Sequence, residues 1–226
     1  ARACSILRTR AHPIPTSGAT NGNATMNPVA VVAAGHRESA RAGAEIIARG
    51  GNAVDAVCAA ACAAAVAEAP LTGPGAGGFL LARDPDGTAT LLDFFVAVPG
   101  LGPDGRRLDP ATLDAFTVPF GDAEQVFHIG APSVAVPGMI PGITTAVSRL
   151  GRLSCSEVMR PAVRLAIDGV VITPEMAYLF EILGTMLTHT PEAAAIFAPG
   201  GRVLRAGERV AIPDLADTFT LIAERG

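Results

Sequence analysis

The chain contains no lysine: all seventeen of its basic residues are arginines. That absence removes a P-loop lysine, a Schiff-base lysine and a lysine general base at once. Basic charge is not in excess either. The formal net charge is -4, which leaves no electrostatic footprint for nucleic acid or an anionic membrane. The four cysteines, at 4, 58, 62 and 155, include no CxxC pair. Cys58 and Cys62 stand one helical turn apart and read as small apolar packing residues. His12, His36, His128 and His189 are scattered, so no metal cluster is visible. The longest apolar run, at 53–67, is mostly alanine and holds Asp55, too weak a signal for a membrane span. The first residues are Arg-, Pro- and Asn-containing and lack the apolar segment of a secretory signal. They read as a flexible leader over 1–27, and the cytoplasm is the expected compartment.

Half of the 226 residues are hydrophobic and 17% are charged, the balance of a buried globular chain. Order is expected from PVAVVAAGH at 28–36, a strand-like apolar run. RESARAGAEIIARGG then reads as an amphipathic helix stopped at Gly50 and Gly51. Asn52 N-caps a second helix, AVDAVCAAACAAAVAEA, whose alanines on every side suit a central, buried position. Two apolar runs flank Asp84-Pro85-Asp86-Gly87 and predict a β-hairpin. A mixed stretch at 99–127 predicts loops around a short helix near 110–116, followed by a strand-like piece at 130–138. Beyond it, Ser154-x-x-Glu157 is a capping box for a helix to about Asp168. Thr173-Pro174, Thr190-Pro191 and Asp214 open further helices. No regular βαβ alternation occurs, and the order of elements predicts a layered domain of helices and sheet.

TGPGAGGFLL, at 72–81, is the segment that most resembles a phosphate loop. Its order is reversed, however: a helix precedes the glycines and a strand follows, and Gly73, Gly75, Gly77 and Gly78 miss the dinucleotide spacing. The glycines are expected to supply unusual backbone angles and to feed the alanine helix into a central strand. His36 reads as a polar residue satisfied in a strand-to-helix turn, Glu68 as a side chain bonding amides around the glycine turn, and Asp84 and Asp86 as turn formers.

The string HRESARAGAEIIARGGNAVDAVCAAACAAAVAEAPLTGPGAGGF resembles the start of the large subunit of the gamma-glutamyltranspeptidase family. His36, Ala42-Gly43, the block Gly50 to Ala56, Glu68 and Gly77-Gly78-Phe79 match the family pattern. GAPSVAVPGMIPG, LGRLSCSEVMRPAVRLAIDGVVITPEMA and PDLADTFTLIAERG resemble later family blocks, so the likeness spans about 29–226. It implies an α+β fold, the N-terminal-nucleophile hydrolase four-layer αββα sandwich, of which 28–226 supply the large-subunit part. It further implies self-cleavage of a precursor and a nucleophilic Thr at the start of a small partner chain, whose own amine acts as base. Thr88, Thr90, Thr117, Thr144 and Thr145 are internal, so no catalytic residue is expected in this chain. No cofactor and no metal are implied. The expected partners are the small subunit and a small-molecule amide or gamma-glutamyl-like substrate.

The sequence departs from the family at one chemical position. Where the family reads D-F-R-E-x-A-P, this chain has Asp93-Phe94-Phe95-Val96-Ala97-Val98-Pro99. Phe95 replaces the arginine that grips the donor carboxylate, and Val96 replaces the glutamate. Two substrate-binding readings follow. In one, Arg83 or Arg106 takes over the carboxylate and Phe95 only packs. In the other, which the paired loss of Arg and Glu favours, Phe95 and Val96 line an apolar acyl pocket and the donor is not a gamma-glutamyl group. A non-catalytic homologue acting as scaffold or binding protein is the rival function, and a stand-alone binding domain a third.

Overall fold

The computed structural model describes residues 4–10, 30–100, 114–130 and 133–225. Two helices form its centre. Helix α1, Arg37–Ala48, opens at His36, whose Nδ1 accepts the Glu38 N–H at 3.1 Å. It buries Ser39, Ala42, Gly43 and Ile46 at helical spacing and ends where Gly50 turns to φ 93°. Helix α2, Ala53–Ala67, is capped by Asn52, whose Oδ1 accepts the N–H groups of Val54 and Asp55. Asp55 returns the bond, with Oδ2 taking the Asn52 N–H at 2.9 Å. The same oxygen takes the Arg152 N–H at 2.9 Å, and Asn52 Nδ2 donates to the Leu150 carbonyl. A fully buried carboxylate thus fastens the start of α2 to a loop almost a hundred residues away.

Alanine lets the helices come close. A Cβ on Gly43 would sit 2.9 Å from the Ala56 carbonyl, so α1 and α2 meet backbone against backbone there. Around α2 pack α3 (Met139–Leu150) and α4 (Cys155–Asp168), with α8 (Pro213–Arg225) beyond α4. Cys58 and Cys62 are buried among them, and burial pushes the Cys58 thiol up to about 12, so both act as apolar packing groups. Ser154 and Glu157 form the expected capping box of α4, and Gly169 ends it at φ 73°.

A three-stranded antiparallel sheet lies on this helical layer in the order β1-β3-β2. Its strands are β1 (Ser5–Arg10), β2 (Gly78–Arg83) and β3 (Thr88–Phe94). The β2–β3 hairpin turns at Gly87, φ 88°, with Asp86 accepting the Thr88 N–H and hydroxyl. Leu80, Ala82, Leu92 and Phe94 face the helices. A second cluster gathers Val118, Ile172, Met176, Phe180 and Val210. It lies between the hairpin β4 (Asp114–Phe120) and β5 (Ala123–Ile129), the short pair β6 (Val170–Val171) and β7 (Arg209–Val210), and α5 (Pro174–Ile182). Helices α6 (Gly184–Leu187) and α7 (Pro191–Phe197) complete it, with Thr173 and Thr190 capping α5 and α7.

Five expectations need correction. Residues 5–10, inside the stretch read as a leader, form β1 on the edge of β3. The described part of the helix expected near 110–116 is strand, because Phe116, Val118 and Phe120 alternate towards β5 across a turn at Gly121, φ 65°. The strand-like piece at 130–138 keeps only a single bridge, Val136 to Ala97. Residues 30–35 of the expected first strand form no strand and have no ladder partner among the described residues. The β2 strand is an edge strand of the described sheet, not a central one.

Candidate functional site

Three chain segments cross where the glycine turn meets the end of β3. The Ala76 carbonyl accepts the N–H groups of Gly138 and Met139, at 3.1 and 2.9 Å, and so closes the start of α3, which has no side-chain cap. Ala97 and Val136 exchange backbone bonds of 3.2 and 2.8 Å beside it. A Cβ on Gly77 would lie 2.6 Å from the Val96 nitrogen and 2.8 Å from the Phe94 carbonyl. Close approach is therefore what this turn requires. Gly73, Gly75, Gly77 and Gly78 are not among the glycines with positive φ, which corrects the expectation of unusual angles.

The crossing fixes two neighbouring phenylalanines in opposite directions. Phe94 is buried, its ring lying on Gly142 of α3, where any side chain would collide with it. Phe95 points outward, 61% exposed, and stacks on Phe79 with centroids 5.5 Å apart and planes at 12°. Asp93 Oδ1 accepts the Phe95 N–H at 3.1 Å and turns the chain out of β3. Phe79 pairs with Asp93 across the ladder, so the stack joins the outer face of β2 to the residue just past β3. Val96 is half-buried against Gly77, while Leu81 and Val98 extend the exposed apolar surface. Phe95 and Val96 follow β3 directly, the first exposed and the second half-buried. Phe79 is the residue that sequence reasoning missed, although strand alternation and hairpin register would have placed it beside position 95.

No arginine replaces the missing one in the described part of this surface. Arg83 sits four residues along β2 from Phe79, roughly 13 Å away at strand spacing, opposite Ala89 near the hairpin turn. Arg106 lies outside the described residues. An anion beside Phe95 would lose water and gain no charged donor from these side chains.

Of the remaining candidates, His36 is only half satisfied. With Nδ1 accepting, the neutral ring carries its proton on Nε2, which is buried and has no partner. Glu68 does not bond the turn amides through its side chain. Its carboxylate accepts the Ser39 hydroxyl at 2.8 Å and rests against Gly35, while its backbone carbonyl takes the N–H groups of Leu71 and Thr72. Asp86 is a turn former, as expected; its carboxyl is held below the usual range by the Thr88 bonds. Among the described residues no group of three potential metal ligands converges, and no helix is long and apolar enough to cross a membrane.

Comparison with known proteins agrees with this architecture. The family model described as Gamma-glutamyltranspeptidase matches residues 39–226. The chain is 33% identical over 196 residues to Acylase ACY 1 proenzyme of Pseudomonas sp. (strain SE83), covering 87% of this chain and 35% of that protein. It is 34% identical over 205 residues to Glutathione hydrolase proenzyme 1 of Schizosaccharomyces pombe, covering 87% and 29%. It therefore spans about a third of these relatives. The crystal structure of Helicobacter pylori gamma-glutamyltranspeptidase superposes with a TM-score of 0.72 at 22% identity, over 89% of this chain and 56% of that one. With its α+β, N-terminal-nucleophile-hydrolase fold and most of its length matched, this chain belongs to the gamma-glutamyltranspeptidase family.

Proposed function

We propose that this chain is the large-subunit part of a processed acyltransferase or amidohydrolase whose acyl donor is apolar rather than gamma-glutamyl. The nucleophile is the N-terminal Thr of a partner chain cut from the same precursor. Its amine takes the hydroxyl proton, the acyl group moves to oxygen, and water or an acceptor amine then removes it. Donors at the developing oxyanion stabilise the intermediate. The names of two relatives, an acylase proenzyme and a glutathione hydrolase proenzyme, fit processing and fit both acyl classes.

One observation carries the donor assignment: the Phe79–Phe95 stack and Val96 stand where the family's carboxylate-gripping arginine and the glutamate after it are replaced. Charged hydrogen bonds contribute about 1.5–3 kcal/mol each. Loss of a two-pronged arginine contact therefore lowers gamma-glutamyl turnover by roughly two to four orders of magnitude. A phenyl pair instead favours a flat or aliphatic acyl group by stacking and desolvation.

Kinetics on the complete protein test this reading, with gamma-glutamyl anilide set against phenylacetyl and butyryl anilides. The apolar amides should be turned over with the higher kcat/KM, and Phe95→Arg should shift the ratio towards the gamma-glutamyl substrate by at least about tenfold. Efficient gamma-glutamyl hydrolysis by the unaltered protein would refute the apolar pocket. A precursor that stays uncleaved, by intact mass, would favour the non-catalytic scaffold.

A further inference from the structure

The loop from α7 to β7 is held in one shape by a single carboxylate. Glu208 accepts a two-pronged bond from Arg202, 2.8 Å at each oxygen, and its Oε2 also takes the Arg205 N–H at 2.6 Å. The Arg202 bonds, helped by the Arg205 amide, bring the Glu208 carboxyl down to about 2. Further ties run to the body of the protein. The Glu208 carbonyl accepts from Ile172 at 2.8 Å, Gly207 donates to the Ile172 carbonyl at 2.9 Å, and Leu204 donates to the Phe197 carbonyl at 2.9 Å. Facing this loop, α5 is fixed by Phe180, buried and edge-on to Phe197 of α7 with centroids 5.6 Å apart.

Loop and helix form the two walls of a cavity of about 640 Å³. Ala177, Tyr178 and Glu181 line it from one face of α5, at helical spacing. Arg202, Leu204 and Arg205 line it from the loop. Glu208 neutralises Arg202, but the side chains of Tyr178, Glu181 and Arg205 make no hydrogen bond or ion pair among the described residues. An unengaged carboxylate on one wall therefore shares a cavity with an unengaged guanidinium on the other. The braced backbones keep the two from closing on each other.

We propose that this cavity binds a short zwitterionic peptide, of dipeptide size, with its ammonium on Glu181 and its carboxylate on Arg205. A simple anion would meet Glu181 and Glu208, and a simple cation would meet Arg202 and Arg205. A ligand carrying both charges is repelled by neither wall. The Arg205 fork suits a carboxylate, the Tyr178 hydroxyl can serve the peptide group, and Ala177 and Leu204 give apolar side chains a surface. The volume is that of a small-molecule site, and a single amino acid would leave much of it to water. These elements are separate from the glycine turn and Phe95, so the proposal stands independently of the donor reading. Two charge contacts open to solvent imply an affinity of about millimolar.

Amide hydrogen exchange on the complete protein, read by mass spectrometry while leucyl-leucine is titrated to about 10 mM, tests the site. Peptides covering 174–182 and 202–208 should slow by about fivefold, and those covering the β2–β3 hairpin should not change. N-acetyl-leucyl-leucine lacks the ammonium and leucyl-leucinamide lacks the carboxylate, so neither should protect. Arg205→Gln and Glu181→Gln should each abolish the protection by the free dipeptide. Equal protection by either capped form would show that one charge suffices and overturn the proposal. So would the absence of protection by leucyl-leucine, or protection confined to the peptides around Phe79 and Phe95. If both variants fail to fold, the capped dipeptides decide the matter on the unaltered protein.

Discussion

The inner side of α2 and the outer face of the β1-β3-β2 sheet are both apolar, but one is sealed and the other is bare. On the inner side Ala59 and Ala63 have no exposed surface, Asn52 Oδ1 and Asp55 Oδ2 are engaged while Asp55 Oδ1 is buried without a partner, and Gly43 brings α1 into contact. On the outer face Leu7, Phe79 and Leu81 are each more than 60% exposed, and Phe95 beside them is too. Apolar side chains left in water in this way contribute little to the fold. The contrast separates the groups that hold this chain together from those that decide what it meets.

The sealed side should fail hardest when its carboxylate is removed. Asp55→Ala strands the N–H groups of Asn52 and Arg152 inside the protein, a loss of about 4 kcal/mol. A thermal melt of the complete protein should fall by about 10 °C; a fall under about 3 °C would mean that water replaces the carboxylate. Next comes the rim of the sealed region, where Glu45 of α1 accepts from Arg164 of α4. The Arg164 bond, opposed by burial and helped by Arg49, holds the Glu45 carboxyl below its ordinary value of 4.5. Such a group stabilises the fold fully above that value, and the contribution disappears as pH falls through the lowered native value. Glu45→Gln should therefore cost under about 1 kcal/mol at pH 7 and nothing near pH 2, by urea unfolding at each pH. The smallest stability effect belongs to the bare face. Phe79→Ser should change stability by no more than about 0.5 kcal/mol, yet weaken the apolar acyl substrate by lost stacking. A large drop in melting temperature would show that the ring pair belongs to the core and erase the distinction.

Local chemistry made the sealed half readable. Asn52, Ser154, Thr173 and Thr190 each cap the helix expected of them, because a cap is decided within four residues. The Asp84–Gly87 hairpin is equally local. What escaped was settled across the chain. Nothing around 114–129 in sequence order says that two runs broken by Gly121 pair with each other, and β1 is defined only by its match to β3. The run at 28–36 had the composition of a strand, but pairing depends on a neighbour that the described residues do not provide. At the site, Phe95 and Val96 stood out against the family pattern, whereas Phe79 emerged only from the register that sets it opposite Asp93.

Phe94, pinned on Gly142, has a consequence for how the neighbouring position can vary. Because the residue before it is locked inward, position 95 always leaves the strand on the solvent side, whatever side chain it carries. A codon change there alters the chemistry of the outer face without reshaping the scaffold, so that face can vary one mutation at a time while folding is left undisturbed.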